Sequence, residues 1–449
     1  MKESKYNLIF RTDDSKYIAF NSTTCALAEV EEDFFEILRN IEEIDYEQLD
    51  EKKKRLVDAM QEGNYIIKNE VDEIKLLKYR HLKSKYESSS LGLVIAVTLG
   101  CNFDCSYCYE NLKKGFISQE AIDGIVEMVN EAAKKKNDIH ITWYGGEPLL
   151  GKDIIYDLSD KLIQICNENG AHYNAYIVTN GYLLTDEIIH KLKAVKVTGA
   201  QVTIDGPPKI HNSRRRLKGS GKETFDTILN NVIKLKENKF DLTIRVNIDK
   251  TNTDYLNELF DILETKNLKD LSISFGHVTA YTEACMSIAE SCFDIQEYAN
   301  QDFKYQQLLY KRKFNIEGYP NYPGVKGNYC CADSQGSFVI DPEGYMYKCW
   351  NDVGNVERAV GDIKIIKKAQ DEKMLMRNIK YLFWSPFEHE KCVKCNLLPI
   401  CMGGCPFNGE KNGQPDCEKW KYSLEKTLCL TYEKNKNKMC EEEIRATNT

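Results

Sequence analysis

The sequence predicts an α/β chain built on a parallel sheet curled into a partial barrel, and two observations carry that expectation. Between residues 91 and 280, apolar runs of strand length alternate with longer helical patterns. Such alternation buries a parallel sheet beneath its crossover helices. The glycine-rich and polar stretches fall at the strand exits, where barrels of this kind place their chemistry. Cysteine usage is the second observation. Of the 17 cysteines in 449 residues, eleven fall in two groups, one directly behind the first strand and one beyond residue 330.

Taken in order, residues 1–80 read as a small winged-helix-like unit. Strands are expected near Asn7 to Arg11 and Tyr17 to Asn21, then a helix carrying Phe34, Phe35, Leu38 and Ile41, then a helix with Leu56, Val57 and Met60 on one face and a short strand at Tyr65 to Lys68. Residues 81–90, in the charged and serine-rich stretch Lys78 to Ser90, read as a linker or bridging helix. The barrel segment 91–280 is expected to run through strands at Leu91 to Thr98, Ile139 to Tyr144, Tyr173 to Thr179, Gln201 to Ile204, Leu242 to Ile248 and Leu271 to Phe275. Helices are expected between them, and 281–329 reads as a connecting segment. Residues 330–449 form the cysteine-rich end, expected to be one domain closing on a helix.

Composition narrows the function. The net charge of −8 and the lack of a strong basic tract argue against nucleic acid as the main partner. Met1 to Asn7 is polar, and no stretch approaches the ~18 apolar residues of a membrane span, so a cytoplasmic protein without membrane attachment is expected. Thiols in that compartment stay reduced and are read first as metal ligands.

Cys101, Cys105 and Cys108 stand at C-x3-C-x2-C spacing on the exit loop of the first strand. Three thiolates on one short loop hold three irons of a cubane and leave the fourth for chemistry, whereas zinc wants a fourth protein ligand nearby. With Tyr107 before the last cysteine and Gly145-Gly146-Glu147-Pro148 further on, the chain resembles the radical S-adenosylmethionine (SAM) superfamily. In that likeness Gly145, Gly146 and Glu147 receive the methionine amino group and Tyr107 lies beside adenine. Thr179 and Asn180 meet the ribose or methionine end. Arg215 resembles the arginine that pairs with the SAM carboxylate, a task suited to guanidinium, with Arg214 and Arg216 as alternative registers.

Cys331, twelve residues, Gly344, four residues, Cys349, then C-x2-C-x5-C-x3-C at Cys392, Cys395, Cys401 and Cys405, and finally Cys417, resemble the SPASM pattern of enzymes with two auxiliary [4Fe-4S] clusters. A C-x2-C pair alone serves zinc equally well. The resemblance implies an outer cluster on Cys392, Cys395, Cys401 and Cys417 and an inner one on Cys331, Cys349 and Cys405. Adjacent residues of an extended chain project to opposite sides, so Cys330 would need a turn to share a cluster with Cys331. Either Cys330 or a substrate thiolate would then supply the fourth ligand of the inner cluster.

As a whole the chain is similar to peptide maturases of the thioether-forming, sactipeptide and ranthipeptide type. That likeness implies SAM, three [4Fe-4S] clusters, an external low-potential electron donor and a ribosomally made precursor peptide whose leader adds a strand beside a helix of the first domain. No catalytic side chain is named, because the cofactors carry the hard chemistry. Carbon–carbon peptide cyclases and anaerobic sulfatase maturases are the competing enzymes, and an iron–sulfur sensor without turnover is the competing non-enzyme. The sulfatase maturases carry an aspartate base after the cysteine that here precedes Trp350, with Asp352 two residues further on.

Overall fold

Strand β1 (Ser90–Thr98) is buried at all but two of its nine residues, as a strand covered on both faces must be. Beside it, in spatial and chain order, lie β2 (Asp138–Gly145), β3 (Tyr173–Thr179), β4 (Val197–Thr203), β5 (Asp241–Ile248) and β6 (Ser272–His277), each hydrogen-bonded in parallel to the one before. Helices α1 (Gln119–Lys134), α2 (Lys152–Asn169), α3 (Asp186–Ala194), α4 (Phe225–Glu237) and α5 (Leu256–Thr265) make the crossovers. Ser118 and Thr185 cap α1 and α3 by accepting the backbone N–H of Ala121 and Ile188. These are the strand–helix alternations expected from the apolar pattern. β4 starts four residues before its expected position, because Gly199 and Ala200 are poor strand formers locally. Gly199 is required there: a Cβ would lie 2.5 Å from the Tyr176 ring.

The computed structural model describes residues 1–449 apart from 88, 111, 136, 316, 366–370 and 448–449. Its contacts divide the chain into two units, one of residues 86–294 and 330–383, the other of residues 1–85, 295–329 and 384–449. These units cut across the segments drawn from the sequence. In the barrel unit, β7 (Ser337–Ile340) adds in parallel to the outer edge of β1, followed by antiparallel β8 (Tyr345–Tyr347) and β9 (Gly361–Asp362). The first part of the cysteine-rich end therefore extends the barrel sheet.

The other unit is built on an antiparallel meander of Asn7–Arg11, Tyr17–Asn21 and Ala26–Val30. The third of these strands is unmarked by alternation. Helices Glu32–Asn40 and Glu51–Glu62 follow, and Ile66–Ile67 pairs with Lys2–Glu3. A helix, Glu73–Tyr86, covers most of the stretch read as a linker. Trp420, Leu424 and Leu428 of the last helix share a core with Ile18 and Phe20 of the meander. Among the described residues no helix is long and apolar enough to cross a membrane.

Candidate active site

The exits of β1 and β2 are locked together by two glycines. Gly145 has φ +122°, and a Cβ on it would lie 2.1 Å from the Thr98 carbonyl oxygen; one on Gly146 would lie 2.4 Å from that of Gly100. Only glycine permits this approach. It lets Gly146 N donate to Thr98 O at 3.1 Å and Glu147 N to Gly100 O at 2.9 Å, which fixes the root of the cysteine loop. Glu147 is fully buried, and its carboxylate accepts from Leu149 N, Thr179 Oγ1 and Asn180 N at 3.0, 2.7 and 2.8 Å. That carboxylate, expected from the sequence to meet the methionine amino group, ties β2 to β3. The backbones of Gly145 and Gly146 line the cavity.

Within the loop, a short strand Phe103–Cys105 pairs antiparallel with Arg215–Leu217, setting Arg215 opposite Cys105. This pairing selects among three consecutive arginines. Arg214 places Nη1 at 2.9 and 2.8 Å from the two carboxylate oxygens of Asp249, and Arg216 donates to Asn212 O. Arg215 donates to the Tyr107 hydroxyl at 2.6 Å, and its Nε is buried with no hydrogen-bond partner. Tyr107 donates in turn to Asp205, which also accepts from Asn247 N. Asn180 donates to Asn102 beside Cys101, so it supports the loop as well as lining the cavity. His211 is packed, between Asp205 N and Thr224 Oγ1.

Cys101, Cys105 and Cys108 face one cavity of 380 Å³ together with Tyr107, Thr179, Asn180 and Arg215. Burial pushes the Cys101 and Cys108 thiols up to about 12, so metal binding must expel their protons. The opposite wall was not found from the sequence. It holds Tyr109, Glu110, Tyr144 and Trp350. Burial pushes Glu110 up to about 7; it bonds to the Tyr144 hydroxyl, and its Oε2 is buried without a partner. An unpaired guanidinium N–H and an unpaired carboxylate oxygen in one cavity fit a ligand with both a carboxylate and an ammonium group, as SAM has. The only signal for Glu110 in the sequence was its place two residues after Cys108.

Residues 95–263 match the family profile of the Radical SAM superfamily. The chain carries a radical SAM domain. That domain implies SAM and a [4Fe-4S] cluster, which the three cysteines of the loop could hold. The chain is 22% identical to TigE, a radical SAM cyclopropyl synthase of Paramaledivibacter caminithermalis, over 90% of this chain and 89% of TigE. Among solved structures, anSMEcpe with bound AdoMet and the Cp18Cys peptide shares the fold at a TM-score of 0.59 and 20% identity, over 77% of this chain and 99% of that one. Streptococcus suis SuiB bound to precursor peptide SuiA does so at 0.50 and 16%, over 93% and 98%.

Outside the radical SAM domain, Cys392, Cys395, Cys401 and Cys417 line a second cavity, of 240 Å³. Consecutive turns carry the first three: Cys395 N donates to Cys392 O, Leu398 N to Cys395 O, and Cys401 N to Leu397 O. Met402, Gly403 and Gly404 are all left-handed, and Gly404 bridges to Asp416, which brings Cys417 back to the same cavity. A zinc ion holds its sulfurs about 2.3 Å from a common centre. The four thiols on this cavity could hold a zinc ion or a cluster.

Cys330, Cys331 and Cys349 stand at one end of the β7–β8 hairpin, whose register pairs Val339 with Tyr347. The Cys330 thiol donates to Cys331, and that bond, with the Trp350 side chain and the Lys348 ammonium, draws the Cys331 thiol below its ordinary value. Lys348 is itself buried, donating to Ser334 O and Ser337 O. Cys405, expected from the sequence to join Cys331 and Cys349, belongs to the other unit, at the start of helix Pro406–Asn412.

Proposed function

We propose that the protein is a radical SAM maturase of ribosomally made peptides that joins a cysteine sulfur to a backbone or side-chain carbon of its substrate. The observation that carries this reading is the wall of the radical cavity. Trp350, the residue after Cys349, lines that cavity and meets Tyr144 edge-on at 4.2 Å between ring centroids. An auxiliary cysteine turn thus borders the space where a substrate carbon would sit. Asp352 is an unsuitable base for a sulfatase-type reaction: it is buried and accepts from Arg358 Nε and the Tyr381 hydroxyl at 2.9 and 2.7 Å.

SAM and its cluster, when bound, supply abstraction of a hydrogen atom from an unactivated carbon. The chain contributes orientation. Arg215 Nε suits the SAM carboxylate, the Gly145 and Gly146 backbone lies beside it, and Tyr107 is fixed by Asp205 and Arg215. In thioether formation one hydrogen leaves carbon as an atom, and the thiol hydrogen leaves as a proton with one electron. A cluster on the Cys349 turn, when bound, would accept that electron.

Leader recognition is proposed for the winged-helix-like part. A groove of 290 Å³ runs between Ile66–Ile67 and helix Glu73–Tyr86, lined by Val71, Leu76, Leu77 and Arg80. SuiB bound to precursor peptide SuiA and anSMEcpe bound to the Cp18Cys peptide support a peptide substrate.

The test is turnover of a cysteine-containing peptide encoded beside the enzyme, with SAM and a strong reductant under anaerobic conditions. The product should lack two hydrogens, and its cysteine should resist alkylation. The same mass loss with the cysteine still alkylated would replace the thioether by a carbon–carbon link.

A further inference from the structure

We propose that Arg245 anchors a carboxylate of the peptide substrate, so that an acidic side chain or the C-terminus of the peptide is held in the cavity of the cysteine loop. The inference rests on the peptide-maturase reading above and goes beyond it by naming the group of the substrate that the barrel grips.

A parallel strand covered on both faces reads as a nearly continuous apolar run. β5 departs from that rule. Leu242, Ile244, Val246 and Ile248 are buried, whereas Thr243, Arg245 and Asn247 alternate with them and stay half-buried. Parallel pairing sets Thr203 of β4 and Ser274 of β6 on either side of Arg245. Gln201, Thr203, Arg245 and Asn247 line the same cavity as Cys101, Cys105 and Cys108. One face of these strands is therefore polar and accessible, where the interior of a closed barrel would be filled by branched apolar side chains.

The guanidinium is fixed in this cavity. Arg245 Nε donates to Asn247 Oδ1 at 3.1 Å, and Nη1 donates to Ser274 Oγ at 3.2 Å. Gly276 makes room for it: a Cβ there would lie 2.2 Å from Nη2 and 2.4 Å from Cζ. Holding so long a side chain costs rotamer entropy. What the cost leaves is an ordered planar fork, the geometry that captures a carboxylate through two parallel hydrogen bonds.

No carboxylate of the chain occupies that fork. Arg214 pairs with Asp205 and Asp249, and Arg358 with Asp352, but among the described residues Arg245 has no such partner. Two of its five N–H groups are used within the protein, which leaves Nη2 and one hydrogen of Nη1 for a ligand. SAM brings a single carboxylate, and the buried Nε of Arg215 suits it. The second anion is then the peptide's.

The experiment uses the full reconstituted chain and the cysteine-containing peptide encoded beside it. Arg245→Gln should raise KM for that peptide by about tenfold or more while changing kcat less. Labelled SAM should bind the variant as tightly as the unaltered chain. Arg245→Lys, which keeps the charge without the fork, should recover part of the loss. Each acidic residue of the peptide is then changed to its amide in turn, and a separate sample carries an amidated C-terminus. One of these changes should raise KM as Arg245→Gln does and add nothing when combined with it, which identifies a side chain or the C-terminus as the anchored group. An unchanged KM in Arg245→Gln, or losses that multiply independently for every carboxylate of the peptide, would overturn the assignment. A loss of SAM affinity of about tenfold in Arg245→Gln would overturn it too, by giving the guanidinium to SAM. A chain that cleaves SAM but modifies no cysteine-containing peptide would overturn the maturase reading, and the anchor with it.

Discussion

Arg214, Arg215 and Arg216 are one residue type in three consecutive positions, yet their surroundings give them three different tasks. Arg214 is spent on Asp249, Arg216 lies at an exposed edge, and Arg215 is the one of the three that lines the cysteine cavity; Nε of both Arg214 and Arg215 is buried without a hydrogen-bond partner, but that of Arg214 lies 3.7 Å from Asp205. A charge-assisted hydrogen bond contributes about 1.5–3 kcal/mol. Arg215→Lys, which cannot reproduce the guanidinium fork, should therefore weaken SAM binding by roughly ten- to a hundredfold. Arg216→Lys should leave it unchanged, and equilibrium dialysis with labelled SAM separates the two. Equal affinities in both variants would refute the role given to Arg215. Glu147 is the contrasting case. Its three accepted hydrogen bonds make it a brace, so Glu147→Gln, which turns an amide toward N–H donors, should cost about 1–3 kcal/mol of stability. A lowered thermal midpoint in the metal-free protein would register that loss; an unchanged midpoint would mean the brace is dispensable.

At the level of elements, the barrel strands and their crossover helices were legible in the sequence because each buries a periodic apolar face. The strand Ala26–Val30 was not, since its five residues show no alternation of burial. The helix Glu73–Tyr86 is only partly legible, as the bridging-helix alternative for the stretch from Lys78, because its charged residues mask the few that pack, Leu77 and His81 among them. The cluster cysteines stood out by spacing, whereas Tyr109, Glu110 and Tyr144 meet only through folding. Gly404 shows how much one turn can carry. A Cβ there would lie 1.5 Å from the Asp416 carbonyl oxygen, and φ is +77°. Gly404→Ala should displace Cys417, and reconstituted iron should fall from about twelve to about eight per chain. Full iron content would show that the turn adapts. The groove beside helix Glu73–Tyr86 is open to a milder probe. Leu76 is 41% exposed, so Leu76→Glu should cost little stability while weakening binding of the full precursor by about tenfold or more. Fluorescence anisotropy with labelled precursor reads the change, and an unchanged affinity would move leader recognition elsewhere.

Across the whole molecule, the units set the cysteines of the first loop apart from the four of the outer cavity. Removing residues 1–80 is a poor way to exploit this, because Ile18 and Phe20 share a core with Trp420, Leu424 and Leu428, and Ser22 is bonded to Asn396 O beside the outer cysteines. Such a truncation should expose that core and lose the outer cluster together with any leader site. The cysteine loop is the better target. Cys101, Cys105 and Cys108 are held by β1, β2 and the short pairing with Arg215–Leu217, whereas Cys392, Cys395, Cys401 and Cys417 are held by their own turns in the other unit. The Cys349 turn lies in the barrel unit, but its backbone bonds run within residues 349–359 and through the β7–β8 hairpin. Replacing the three loop cysteines by alanine should therefore abolish 5'-deoxyadenosine formation and lower iron from about twelve to about eight per chain, with the auxiliary clusters retained. Anaerobic iron analysis beside chromatographic assay of 5'-deoxyadenosine gives both numbers on one sample. Continued 5'-deoxyadenosine formation would remove the loop from SAM chemistry, and loss of all iron would mean that the auxiliary sites depend on the first cluster for their assembly.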